Sequence, residues 1–132
     1  MFRLDKRQVE EMIAHARAKA PQEACGVLAG PEGRVERVYR TTNVERSGVR
    51  YRLDPQEQYE ILIELEQRGW ELVGIYHSHP ASEAYPSATD LEWAFYPDSL
   101  YFIVSLADEE RPVIRAFRIV EGEVREEEII VE

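Results

Sequence analysis

The run WELVGIYHSH, residues 70–79, limits the fold more than any other stretch: it is almost continuously apolar and stops at a proline, Pro80. Such a run reads as a strand covered on both faces, so the rest of the chain has to supply packing layers above and below it. Pro80 has no N–H for a ladder, which ends the strand there or moves it to an edge.

Two amphipathic segments fit as those layers. In DKRQVEEMIAHARAK (5–19), Val9, Met12, Ile13 and Ala16 recur at helical spacing behind an Asp5 cap, and Pro21 closes the segment. His15 falls on the polar or border face of this helix. Pro55 opens PQEQYEILIELEQRG, where Tyr59, Leu62, Ile63 and Leu65 or Glu66 form the apolar stripe and Gly69 is the stop. Strand signals fill the remainder. EACGVLAG (23–30) runs into a GPEG turn and the alternating RVERVYRTTNV, which together predict a hairpin. RYRLD (50–54) predicts a brief strand, and three more follow in LYFIVSLA, PVIRAFRIV and EVREEEIIVE. Between them SATDLEWAFY predicts a short third helix capped by Ser87 and closed by Pro97. The order α, β, β, β, α, β, α, β, β, β over residues 1–132 predicts one α/β domain, a mixed or antiparallel sheet packed by helices, and not a doubly wound parallel sheet.

Composition narrows the function classes. Acids outnumber bases 26 to 16, a net charge of −10, which speaks against a nucleic-acid partner because phosphate binding relies on clustered cations. No window approaches 18 consecutive apolar residues, so no membrane span is expected. The single cysteine, Cys25, cannot form an internal disulfide, and the charged start MFRLDKRQVEEM is unlike a secretory signal; both predict a cytoplasmic protein.

Chemistry concentrates after the apolar run. His77 and His79 stand at i and i+2 on a strand, so both imidazoles leave one face while Ser78 points the other way. Asp90, in the first turn of the next helix, brings a carboxylate back toward that strand end. Two His and one carboxylate form a catalytic zinc composition, with the fourth position left for water. A structural reading competes, since Ser-x-x-Asp is also a helix start in which Ser87 bonds the N3 amide and the acid favours the positive helix end. The two readings are compatible for Ser87, whereas Asp90 is not expected to satisfy both fully. Metal-assisted hydrolysis also needs a base, and Glu23 at the head of EACGVLAG is the candidate; as a plain exposed strand-start glutamate it would do nothing. Cys25 offers a cysteine-hydrolase alternative, weakened by its apolar neighbours. Glu83 reads as a solvated loop acid, and Tyr76, Trp93 and Tyr96 as packing residues.

Glu23 in EACGVL, HSHP at 77–80 and PSATD with Ser87 and Asp90 together resemble the JAMM (MPN+) family of zinc-dependent, deubiquitinase-like isopeptidases, over nearly the whole chain and in the manner of a small prokaryotic member. The resemblance implies a cytidine-deaminase-like sheet packed by helices. It further implies that His77, His79 and Asp90 bind one Zn²⁺ per chain, that Glu23 is general base and proton shuttle, and that Ser87 helps hold the oxyanion. The implied substrate is a ubiquitin-like or sulfur-carrier protein cut after its C-terminal Gly-Gly, and a homodimer is one possible assembly. A non-catalytic scaffold of the same family is the alternative. A nucleoside deaminase is discounted, because the HxE and PCxxC pattern is missing.

Overall fold

The computed structural model describes residues 1–132, with the element order β1 (Phe2–Leu4), α1 (Lys6–Lys19), β2 (Cys25–Gly30), β3 (Arg37–Thr41), α2 (Pro55–Arg68), β4 (Glu71–His79), α3 (Ala88–Glu92), β5 (Leu100–Ser105), β6 (Val113–Val120), β7 (Glu123–Glu127) and β8 (Ile129–Val131). A six-stranded sheet, ordered β3-β2-β4-β5-β6-β7, carries β4 and β5 at its centre. The β4–β5 pair is parallel and every other neighbouring pair in this sheet is antiparallel, so the sheet is mixed as expected. All of β2 and β5 and the last seven residues of β4 are buried, the outcome the apolar run required.

Alternation along these strands divides the core in two. Leu28, Tyr76, Phe102, Val104 and Ala116 face α1 and meet Leu4, Met12 and Ala16. Cys25, Val27, Ile75, Tyr101, Ile103 and Phe117 face the other way and meet Tyr51, Leu53 and Leu65. Asp5 caps α1 in a reciprocal box with Gln8, and Asp54 caps α2, whose last turn ends on Gly69 at φ 68°, a left-handed position that glycine adopts without strain. No helix is long and apolar enough to cross a membrane.

The structure departs from the sequence expectations at five places. The stripe on α2 that meets the sheet is Ile61 and Leu65, while Tyr59, Leu62 and Ile63 are exposed. Two apolar stripes compete on this helix, and its rotation is tied down by Glu57, whose carboxylate accepts from Thr42 N (2.7 Å) and Oγ1 (3.0 Å). RYRLD is not a strand; only an isolated Asn43–Leu53 bridge forms there, because the Asn43 side chain takes up Arg50 O and Arg52 N. Helix α3 stops at Glu92 instead of continuing to Tyr96, and the Tyr96 N–H turns to Tyr101 Oη (2.9 Å). The last expected strand breaks at Glu128, whose carbonyl accepts from Phe2 N (2.8 Å), and β8 pairs in parallel with the unexpected β1. Finally, His15 is buried, its Nδ1 2.7 Å from Tyr76 Oη on the α1 side of the sheet.

Candidate metal centre

Histidines 77 and 79 are the final alternate residues of β4 and lie on the face opposite α1. Because β4 ends at Pro80, the following loop is free to fold back, and the Glu83 carbonyl reaches His79 Nδ1 at 2.8 Å. A carbonyl only accepts, so Nδ1 carries the proton in that bond, and in the neutral ring the lone pair is on Nε2, which faces inward. The ring of Tyr51 stacks on His77 at a centroid separation of 4.3 Å and an interplanar angle of 17°.

Helix α3 brings up the carboxylate. Ser87 Oγ accepts from Asp90 N (3.1 Å), and Asp90 Oδ2 accepts in return from Ser87 N (2.9 Å). The same Oδ2 lies 3.0 Å from both His77 Nε2 and His79 Nε2, and those two nitrogens are 3.1 Å apart. Asp90 was expected to serve either the helix start or the site, and one oxygen instead meets both. The first helical turn aims its capping acid at the strand end, and a carboxylate oxygen has lone pairs enough for an amide on one side and the imidazoles on the other.

Glu23 precedes β2 on the adjacent strand. Ala24 N donates to Ser78 Oγ (2.7 Å) and Ser78 N to Ala24 O (3.0 Å), fastening this segment beside the end of β4. Glu23 is 2% exposed, so the reading of a solvated strand-start acid does not hold. Ligand atoms of Glu23, His77, His79 and Asp90 all lie within 4.8 Å of one another. Glu23 Oε1 and His77 Nδ1 are the buried side-chain polar atoms without a hydrogen-bond partner.

These donors fit a cation. Three ligands held about 2.0–2.1 Å from a tetrahedral ion sit about 3.3 Å from each other; the Nε2, Nε2 and Oδ2 atoms form a triangle of 3.0, 3.0 and 3.1 Å. Electrostatics agree. Burial raises the Asp90 carboxyl, but the two imidazoles and Ser87 N–H outweigh it and hold Asp90 well below the usual carboxylate range. Burial also drives His77 toward its neutral, ligating form. For His79 burial pulls down, while the Asp90 and Glu83 hydrogen bonds prevail and raise it. Glu23, pushed up to about 8 chiefly by burial, is an acid in want of a positive neighbour.

The other candidates fall outside the cluster. Cys25 is fully buried, its Sγ 3.4 Å from Thr41 Oγ1, and burial pushes the thiol up to about 12, which leaves it inert as a nucleophile. Glu83 contributes its carbonyl while its residue is exposed, and Tyr76 packs on the α1 side. Sequence reasoning missed the Ser78 hydroxyl, the Glu83 carbonyl, Tyr51 and Asn43. Of these only Asn43 left a trace, as the chain's one asparagine.

Residues 5–120 match the family described as prokaryotic homologs of the JAB domain. A CysO-cysteine peptidase of Mycobacterium tuberculosis is 51% identical over 125 residues, covering 93% of this chain and 86% of the relative. A desampylase of Haloferax volcanii is 43% identical over 103 residues, 73% of this chain and 74% of the relative. The solution structure of a Desulfitobacterium hafniense protein, 45% identical, superposes with a TM-score of 0.90 over 100% of this chain and 93% of the other. The chain belongs to the prokaryotic branch of the JAB-domain, or JAMM/MPN, family of metal-dependent hydrolases.

Proposed function

We propose that the chain is a zinc-dependent peptidase that hydrolyses the amide bond following the C-terminal Gly-Gly of a ubiquitin-like or sulfur-carrier protein. The observation that carries this reading is the convergence of buried Glu23 on a triangle of two imidazole nitrogens and a carboxylate oxygen. His77 Nε2, His79 Nε2 and Asp90 Oδ2 would hold the ion. Zn²⁺ in that position supplies Lewis acidity to water and to the scissile carbonyl, and its charge favours the ionised form of Glu23.

The chain's own residues do the rest. Glu23, with Oε1 unpartnered, takes a proton from the attacking water and passes it to the departing amine nitrogen. Ser87 Oγ accepts from Asp90 N and so keeps its own O–H free to donate to the oxygen on which negative charge develops. Asp90 Oδ2, held by Ser87 N, keeps the ligand set and the oxyanion donor in one rigid turn. A tail of two glycines suits a buried ligand set, because backbone without side chains can come close to it. The relatives named CysO-cysteine peptidase and desampylase support a conjugate of a small carrier protein as the substrate class.

The test combines metal content by elemental analysis with incubation of carrier fusions in which Gly-Gly is followed by cysteine, a lysine-linked protein or a short tail. Cleavage after Gly-Gly that stops with chelator and returns with Zn²⁺ is expected. Glu23→Gln is expected to keep the metal and lose at least about a hundredfold in kcat, the scale on which a positioned acid–base group acts. Chelator-resistant cleavage, or full activity in Glu23→Gln, overturns the reading.

A further inference from the structure

We infer that Asn43 is a positioning residue for the metal centre, holding the general-base segment and the Tyr51 ring in one register with a single side-chain amide. This rests on the function proposed above for Glu23 and His77. Asn43 is 8% exposed and lies just beyond β3, outside the donor cluster. Its Nδ2 donates to Glu23 O and to Arg50 O, each at 3.1 Å. Its Oδ1 accepts from Glu45 N at 3.0 Å and Arg52 N at 3.1 Å. All four bonds run to backbone, so the amide is saturated and its orientation fixed.

Two of the four partners flank Tyr51 on either side, and Tyr51 is the ring stacked on His77. A third partner is the carbonyl of Glu23 itself, whose N–H is in turn taken by Ser47 O (2.7 Å) in the loop that Asn43 closes. Both backbone groups of Glu23 are therefore bonded to residues of the segment 43–50. His77 Nδ1 has no hydrogen-bond partner, unlike His79, which Glu83 O holds. The Tyr51 face does for His77 the orienting that a hydrogen bond does for His79. The amide thus couples the base to the ring that steadies a ligand, although it touches neither reacting group. No other residue type matches it: two donors and an oxygen accepting twice, on a short stem, is an asparagine specification.

The experiment compares wild type, Asn43→Asp and Asn43→Ala. Asn43→Asp keeps both bonds at Oδ1 and loses the two donations to Glu23 O and Arg50 O. Expected are a kcat lower by about tenfold to a hundredfold, the usual cost of losing a group that orients a metal site, a KM within about twofold and unchanged zinc stoichiometry. A second readout needs no metal or substrate. In metal-free protein the His77 ring protons carry the upfield ring-current shift of the Tyr51 face in NMR spectra, and Asn43→Asp is expected to move that resonance toward its unstacked value. Asn43→Ala is expected to do both more strongly if it folds. A folded Asn43→Asp with wild-type kcat and an unmoved His77 resonance overturns the inference. So does a loss of kcat that follows only a loss of bound zinc. If wild type cleaves none of the carrier fusions, the proposed function fails while the His77 resonance still decides whether Asn43 sets the stack.

Discussion

Ser87 and Asp90 show how a helix start and a candidate metal centre can share atoms. Oδ2 of Asp90 completes the capping box and faces both imidazoles, and Ser87 Oγ accepts the N3 amide while its proton stays free. The two roles separate by measurement. Ser87→Ala is expected to lower stability by about 1 kcal/mol, the worth of an N-cap, and to reduce kcat by roughly a hundredfold, the worth of one oxyanion donor. Ser87→Thr keeps an acceptor and a donor and is expected to recover most of both. Thermal unfolding beside saturating kinetics on a carrier fusion distinguishes them; a lower Tm with unchanged kcat would leave Ser87 as a cap alone. Asp90→Asn places an amide where an anion stood among two imidazoles, and loss of bound zinc by elemental analysis is the expected result.

Among the elements, the β2–β4 pair brings Glu23, just before β2, beside the histidines of β4, and a glycine allows its close packing. Gly26 pairs with Tyr76, and a Cβ built at Gly26 would lie 2.2 Å from Tyr76 Cε1 and 2.3 Å from Tyr39 O. The Tyr76 ring crosses β2 where a side chain is missing, which brings its hydroxyl to His15 Nδ1 on α1. The same strand pair sets Cys25 opposite His77 on the other face, one residue along. Gly26→Ala must therefore displace both the ring and the β3 backbone. It is expected to cost about 1–3 kcal/mol, the range for overpacking a dense core, read as a lower urea midpoint, with zinc binding weakened because His77 follows Tyr76. A neutral result would mean that the ring and the β3 backbone both give way freely, against the 1% exposure of Tyr76.

At the scale of the molecule, burial of His15 between α1 and the sheet makes stability depend on pH. Burial lowers its pKa from 6.5 to about 4, with Arg40 and Lys19 adding to the effect. The folded state therefore favours the neutral ring. Above pH 6.5 neither state binds the proton; between 6.5 and 4 the unfolded chain binds it and the folded chain does not, so stability falls as pH falls through that window. The loss levels off below about 4 and amounts to roughly 3 kcal/mol, at 1.36 kcal/mol per unit. Urea unfolding of metal-free protein across this range is expected to show the His15 contribution as the difference between wild type and His15→Gln, which can still bond Tyr76 Oη, because Glu23, pushed up to about 8, acts in the opposite direction in both proteins. Equal pH dependence in both proteins would remove His15 from the effect.

Local chemistry made much of this protein legible from its residues in order. The apolar run 70–79 demanded a two-faced strand, the caps and prolines placed the helices to within a residue at most ends, and alternation put His77 and His79 on one face. Those features depend on neighbours within a few positions, where steric and hydrogen-bond rules act directly. What only the tertiary structure decided were matters of competition at a distance. Ile61 and Leu65 rather than Tyr59, Leu62 and Ile63 turned inward because Glu57 is tied to Thr42. The tail split because β1 needed a partner. Glu23, 54 positions before His77, came to it through the Ser78 clamp, and Asn43 and Tyr51 joined them through backbone bonds that leave no periodic signature. A side chain that bonds to main chain can meet any sequence, so nothing in the order of residues announces it.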